Sequence, residues 1–154
     1  MSLVYHSQAS KKEPNSVGTH VLTIGIGEYP HLDGGTGKRT PALPGRGQLS
    51  APPVAAQAIA SWFIRGDLGK GFNNPDAPLA GVDLLVSPWS EFVSPAGSKP
   101  SSDEATSERI SSVFREWLSK LQLNERNVGV LYYCGHETND PSSSTSPIAT
   151  LSRA

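Results

Sequence analysis

Three short apolar runs alternate with two helical patterns, and that alternation restricts the fold of this chain more than any other feature. The first run, Val21-Leu22-Thr23-Ile24-Gly25-Ile26, is nearly continuous in apolar residues. The second is Val82-Asp83-Leu84-Leu85-Val86, and the third is Val128-Gly129-Val130-Leu131-Tyr132-Tyr133. Such runs suit strands buried on both faces of a parallel sheet. Between the first two, a helix is expected from about Ser50, with Pro52 and Pro53 tolerated in its first turn. Its apolar stripe is Val54, Ala55, Ala58, Ile59, Trp62 and Phe63. A second helix is expected from Asp103 to Leu121, with Ile110, Val113, Phe114, Trp117, Leu118 and Leu121 on one face. Strand, helix, strand, helix, strand implies an α/β fold: a mostly parallel sheet, right-handed crossovers and helices on both faces.

The remaining segments read as connections. Residues 1–19 are expected to be a flexible leader, and residues 20–137 the folded part. The loop from Gly27 to Leu49 is dense in Gly and Pro, which cannot continue a strand or begin a long helix. Residues 138–154, rich in serine and without periodicity, are expected to form a disordered tail.

Composition narrows the function classes. The 13 Lys plus Arg against 14 Asp plus Glu leave a net charge of -1, with no basic excess for nucleic acid or an anionic membrane. No run approaches the roughly 20 apolar residues of a membrane span, and the first twenty residues hold no apolar signal core. A cytoplasmic location is the expectation. The single cysteine, Cys134, excludes an intramolecular disulfide and fits a reducing compartment.

In a parallel α/β sheet, functional side chains gather where the C-terminal ends of the strands open into loops. His136 lies just beyond the third strand, placed to act as a general acid or base. Two glycine motifs fail on detail. Gly25-Ile26-Gly27 lacks the third glycine and the immediate helix of a dinucleotide site. Gly34-Gly35-Thr36-Gly37-Lys38 has Leu32 where a phosphate loop needs its first glycine, and Arg39 where it needs Ser or Thr. The four histidines, His6, His20, His31 and His136, show no metal-ligand spacing, so neither metal nor cofactor is expected.

The segments THVLTIGIGEYPHL, QLSAPPVAAQAIASWFI and NVGVLYYCGHE, in that order, resemble caspase-like cysteine peptidases, in particular bacterial members of the caspase and metacaspase group. The resemblance spans roughly residues 20–137, and its most specific part is the apolar strand followed by Tyr-x-x-Gly-His. It implies the three-layer caspase-like fold, incomplete in this chain, with His136 as the catalytic histidine. The implied reaction is endoproteolysis of a protein or peptide through a cysteine thiolate, with His136 protonating the leaving amine. The backbone N–H after the histidine, that of Glu137, is implied as an oxyanion donor. Family members that cut after basic residues place carboxylates in the substrate pocket, and the loop after the first strand offers Glu28 and Asp33 beside Lys38 and Arg39.

Two departures stand beside the resemblance. Glu137 replaces the family's glycine, setting a carboxylate where negative charge develops. The family's nucleophile lies several dozen residues past the histidine in an Asp-x-Cys type motif, and the 18 residues after His136 contain no cysteine. Cys134 shares a strand face with His136 but continues an apolar run, and is expected to be an inert core residue. The implied partners are a peptide substrate and a cysteine-bearing C-terminal half or a self-association partner. The alternative is a catalytically dead caspase-like module that acts in protein interaction or regulation.

Overall fold

The computed structural model describes residues 2–39 and 45–136, apart from the side chains of Asp67 and Leu68. It is an α/β fold with a mixed sheet of five strands and three helices. The elements are β1 (Leu3–His6), α1 (Gln8–Lys12), β2 (Thr19–Ile26), α2 (Ala51–Ile64), β3 (Leu79–Ser87), β4 (Asp103–Glu104), α3 (Ser107–Leu121) and β5 (Val128–Cys134). The strand order is β1-β3-β2-β5. β2 runs parallel to both β3 and β5, with Leu22 beside Asp83 on one side and beside Leu131 on the other. β4 pairs parallel with the end of β3 at Leu85 and Val86.

Residues 1–19, expected as a flexible leader, contain a strand and a helix instead. β1 pairs antiparallel with β3, setting Leu3 against Asp83 and His6 against Gly81. Only Val4 of this strand is a buried apolar residue, so the segment carries little periodic signal. Its order comes from a tertiary ladder, which local sequence does not encode. The second helix also starts later than expected. Thr106 caps it by accepting a hydrogen bond from Arg109 N–H, and Asp103 and Glu104 are drawn into the sheet.

Side chains alternate across the sheet to form two cores. On one face, Val21, Val82, Leu84 and Val86 pack against Ala56, Ala60, Phe63 and Ile64 of α2. On the other, Leu22, Ile24 and Leu85 pack against Val113 and Trp117 of α3. The buried face of α2 differs from the expected stripe. Val54 is 68% exposed and Trp62 48%, while the small Ala56 and Ala60 point inward. The reason is closeness of approach. A Cβ on Gly25 would lie 2.3 Å from the Pro52 carbonyl oxygen and 2.9 Å from Ala56 Cβ. The helix therefore rests almost on the β2 backbone, and only small residues fit between. Trp62 covers Phe63 and Phe72 from outside, with ring centroids 4.9 and 6.2 Å away, rather than entering the core.

Among the described residues, β5 forms one edge of the sheet. Leu131 and Tyr133, on the α3 side, remain 48% and 52% exposed. No helix among the described residues is long and apolar enough to cross a membrane.

Candidate active site

The parallel strands β2, β3 and β5 end together at Ile26, Ser87 and Cys134, and their following loops converge at that edge. The Gly27–Leu49 loop is anchored at both ends. Gly27 and Glu28 donate their amide N–H groups to the Ser87 carbonyl, and Leu49 N–H returns to the Gly27 carbonyl at 2.8 Å. Gln48 ties the middle. Its Oε1 accepts from Tyr29 N–H at 2.7 Å, and its Nε2 donates to the carbonyls of Tyr29 and Asp33 at 3.0 and 3.1 Å. A loop this rich in glycine is thus held by a network of directed hydrogen bonds.

His136 stands two residues past β5, half-buried against this loop. Its Nε2 lies 2.8 Å from the carbonyl oxygen of Gly47. A carbonyl only accepts, so Nε2 carries the proton, and the lone pair of the neutral ring resides on Nδ1. The imidazole also packs on the ring of Tyr29, with centroids 4.8 Å apart and planes tilted by 54°. The Tyr29 hydroxyl accepts from His136 N–H and donates to the Ile26 carbonyl at 2.9 Å. Burial pushes this phenol above its ordinary range, outweighing the opposing effect of the His136 amide, so it is protonated at neutral pH. Gly135 is required between strand and histidine. A Cβ there would lie 2.6 Å from the Tyr29 hydroxyl and 3.3 Å from the Ile26 carbonyl oxygen.

The other expected residues divide. Glu28 lines a cavity of about 600 Å³ at the same strand ends, together with Gln48, Ser50, Pro53, Pro88 and Ser90. Asp33 does not line it. Its carboxylate pairs with Arg39, Nε to Oδ1 at 2.6 Å, and its carbonyl serves Gln48. Cys134 is half-buried at the end of β5. Its neighbour on the same strand face, Tyr132, has its phenol pushed upward in pKa, first by burial and then by the nearby Cys134. Glu137 and its N–H lie outside the described residues. Among the described residues, no group of three or more His, Cys, Asp or Glu is placed to hold a metal ion.

Tyr29, Gly47 and Gln48 had no place in the sequence-based expectation of a site. Gly47 acts through its backbone carbonyl, which leaves no trace in residue type. Tyr29 carries a weak signal as the one Phe, Trp or Tyr close behind β2.

No protein-family model matches the chain, and no solved structure matches it. The chain is similar to the uncharacterized protein y4kE of Sinorhizobium fredii, 32% identical over 93 residues. That stretch covers 54% of this chain and 27% of the relative, so the chain matches about a quarter of the relative's length.

Proposed function

We propose that this chain is the N-terminal part of a caspase-like cysteine endopeptidase, with His136 as its acid and base. The observation that carries the reading is the orientation of His136. The Gly47 carbonyl engages Nε2, which leaves Nδ1 as the ring nitrogen to exchange a proton. A base held in one tautomer by a third group is the arrangement that nucleophilic catalysis requires.

The steps follow from that geometry. The thiol proton of a cysteine contributed from beyond residue 154 passes to His136 Nδ1, forming a thiolate and an imidazolium. The Gly47 carbonyl keeps its hydrogen bond to Nε2–H and stabilises the charged ring. Sulfur attacks the scissile carbonyl. As the C–N bond breaks, Nδ1–H returns its proton to the leaving amine and the acyl group remains on sulfur. Neutral His136 then takes a proton from water, whose oxygen displaces the thiolate. Glu28, at the cavity formed by the strand ends, is the carboxylate placed to meet a substrate side chain. Asp33 is withdrawn from that role by Arg39. The partners are a protein or peptide substrate and the segment that bears the nucleophile, with no nucleic acid and no membrane. The expected location is cytoplasmic.

A second reading is a non-catalytic module of the same fold, used for protein interaction. It is favoured by the chain's one cysteine, Cys134, which is half-buried at the end of the apolar strand β5. Sequencing the source gene past codon 154 in all reading frames separates the two. A further apolar strand followed by Asp-x-Cys supports the peptidase, whereas none in any frame supports the module.

A further inference from the structure

We infer that Tyr29 is the positioning residue for His136, acting through its hydroxyl as a splice in the hydrogen-bond ladder between β2 and β5. The inference rests on the peptidase reading for its consequence, but its geometry stands apart from it. The regular β2–β5 pairing stops at Gly25 and Cys134. One step further on, the chains diverge, leaving the Ile26 carbonyl and the His136 amide facing the gap. The Tyr29 hydroxyl fills it, donating to Ile26 and accepting from His136. A single phenol thereby satisfies both orphaned backbone groups.

Three further features converge on this role. The Tyr29 ring lies against the imidazole, limiting its rotation. The Tyr29 backbone is clamped on both its N–H and its carbonyl by Gln48, which adjoins the Gly47 carbonyl that holds Nε2. Gly135 leaves the space that the hydroxyl needs, since any Cβ would meet the phenol oxygen at 2.6 Å. His136 is therefore held at its backbone by Tyr29 and at its ring by Gly47. Loss of the hydroxyl releases the first of these and loosens the second. Substrate binding at the Glu28 cavity is untouched, so in a competent enzyme kcat falls while KM does not.

Tyr29→Phe in the present chain tests this without reference to activity. The substitution keeps the ring and removes both hydrogen bonds. Imidazole nitrogen shifts should report a nearly pure Nε2–H tautomer in the native chain and a mixed population in Tyr29→Phe. Amide exchange at His136 should accelerate about tenfold, with Val130 and Leu131 in mid-strand unchanged. In the native chain, the Tyr29 hydroxyl proton should show a nuclear Overhauser effect to the His136 amide, a measurement that does not depend on the variant folding. An unaltered tautomer and unaltered exchange in folded Tyr29→Phe, or no such effect in the native protein, would overturn the inference. Failure of the peptidase reading looks different: the tautomer responds as stated, but protein joined to its downstream segment cleaves nothing.

Discussion

The imidazole Nε2 of His136 lies 2.8 Å from the carbonyl oxygen of Gly47, a residue 89 positions earlier in the chain. The contact joins the end of β5 to the loop that follows β2, the two places where a parallel sheet presents its chemistry. The loop and sheet that hold it in place give rise to separate, measurable consequences.

Gly25 sets how closely α2 can approach the sheet. A methyl at this position meets the Pro52 carbonyl oxygen at 2.3 Å, so helix or strand must shift. Gly25→Ala should cost roughly 2–3 kcal/mol in urea denaturation. A loss below about 0.5 kcal/mol would mean that α2 packs further out than described.

Asp83 is buried in β3, with Ser2 Oγ at 2.9 Å and Lys120 Nζ at 2.8 Å on its two carboxylate oxygens. Lys120→Met leaves the carboxylate with the hydroxyl alone. Because the Lys120 side chain is 30% exposed, the cost should be about 2 kcal/mol rather than the 3–5 of a fully buried pair. Adding Asp83→Asn should recover part of that loss. A double variant less stable than Lys120→Met alone contradicts the pairing.

His20 is buried in β2, and burial first, then Lys120, hold its pKa below 6.5 in the folded chain. The unfolded chain therefore binds this proton more tightly. The contribution of His20 is fully present above about pH 6.5 and is lost as pH falls from there through the folded value. Urea midpoints should drop between pH 7.5 and 5.5, and His20→Gln should flatten that dependence. An identical slope in the variant would assign the pH effect to other groups.

Among the described residues, β5 is a sheet edge that exposes Leu131 and Tyr133, with Leu118 and Leu123 also exposed on the adjoining elements. An apolar strand edge of this kind favours pairing with another chain. Sedimentation should show self-association at tens of micromolar, and Leu131→Lys should reduce it. A monomer at all concentrations counts against an available edge.

Much of the fold was legible in the sequence, for identifiable reasons. β2 and β3 announce themselves because strands buried on both faces need nearly unbroken apolar runs, and β5 carries the same kind of run although one of its faces is half exposed. The apolar face of α3 was legible because Val113 and Trp117, large residues at i and i+4, are the ones it buries. The face of α2 was not, because closeness to Gly25 selects small residues, and hydrophobic size pointed to Val54 and Trp62 instead. β1 was hidden by its brevity and by a partner strand nearly 80 residues away. The positions of His136 and Glu28, just past the ends of β5 and β2, were legible from the strand pattern. The Gly47 carbonyl was not, since a backbone acceptor looks the same in every residue.

The central claim is that His136 is the acid and base of a cysteine endopeptidase. The most direct measurement joins this chain to its downstream-encoded segment and follows cleavage of an unselected peptide pool by mass spectrometry. The account predicts cleavage that iodoacetamide abolishes and that His136→Ala reduces by about 10²–10⁴-fold with the fold intact. Cleavage that persists undiminished in His136→Ala, or no cleavage from the intact joined protein, would contradict it.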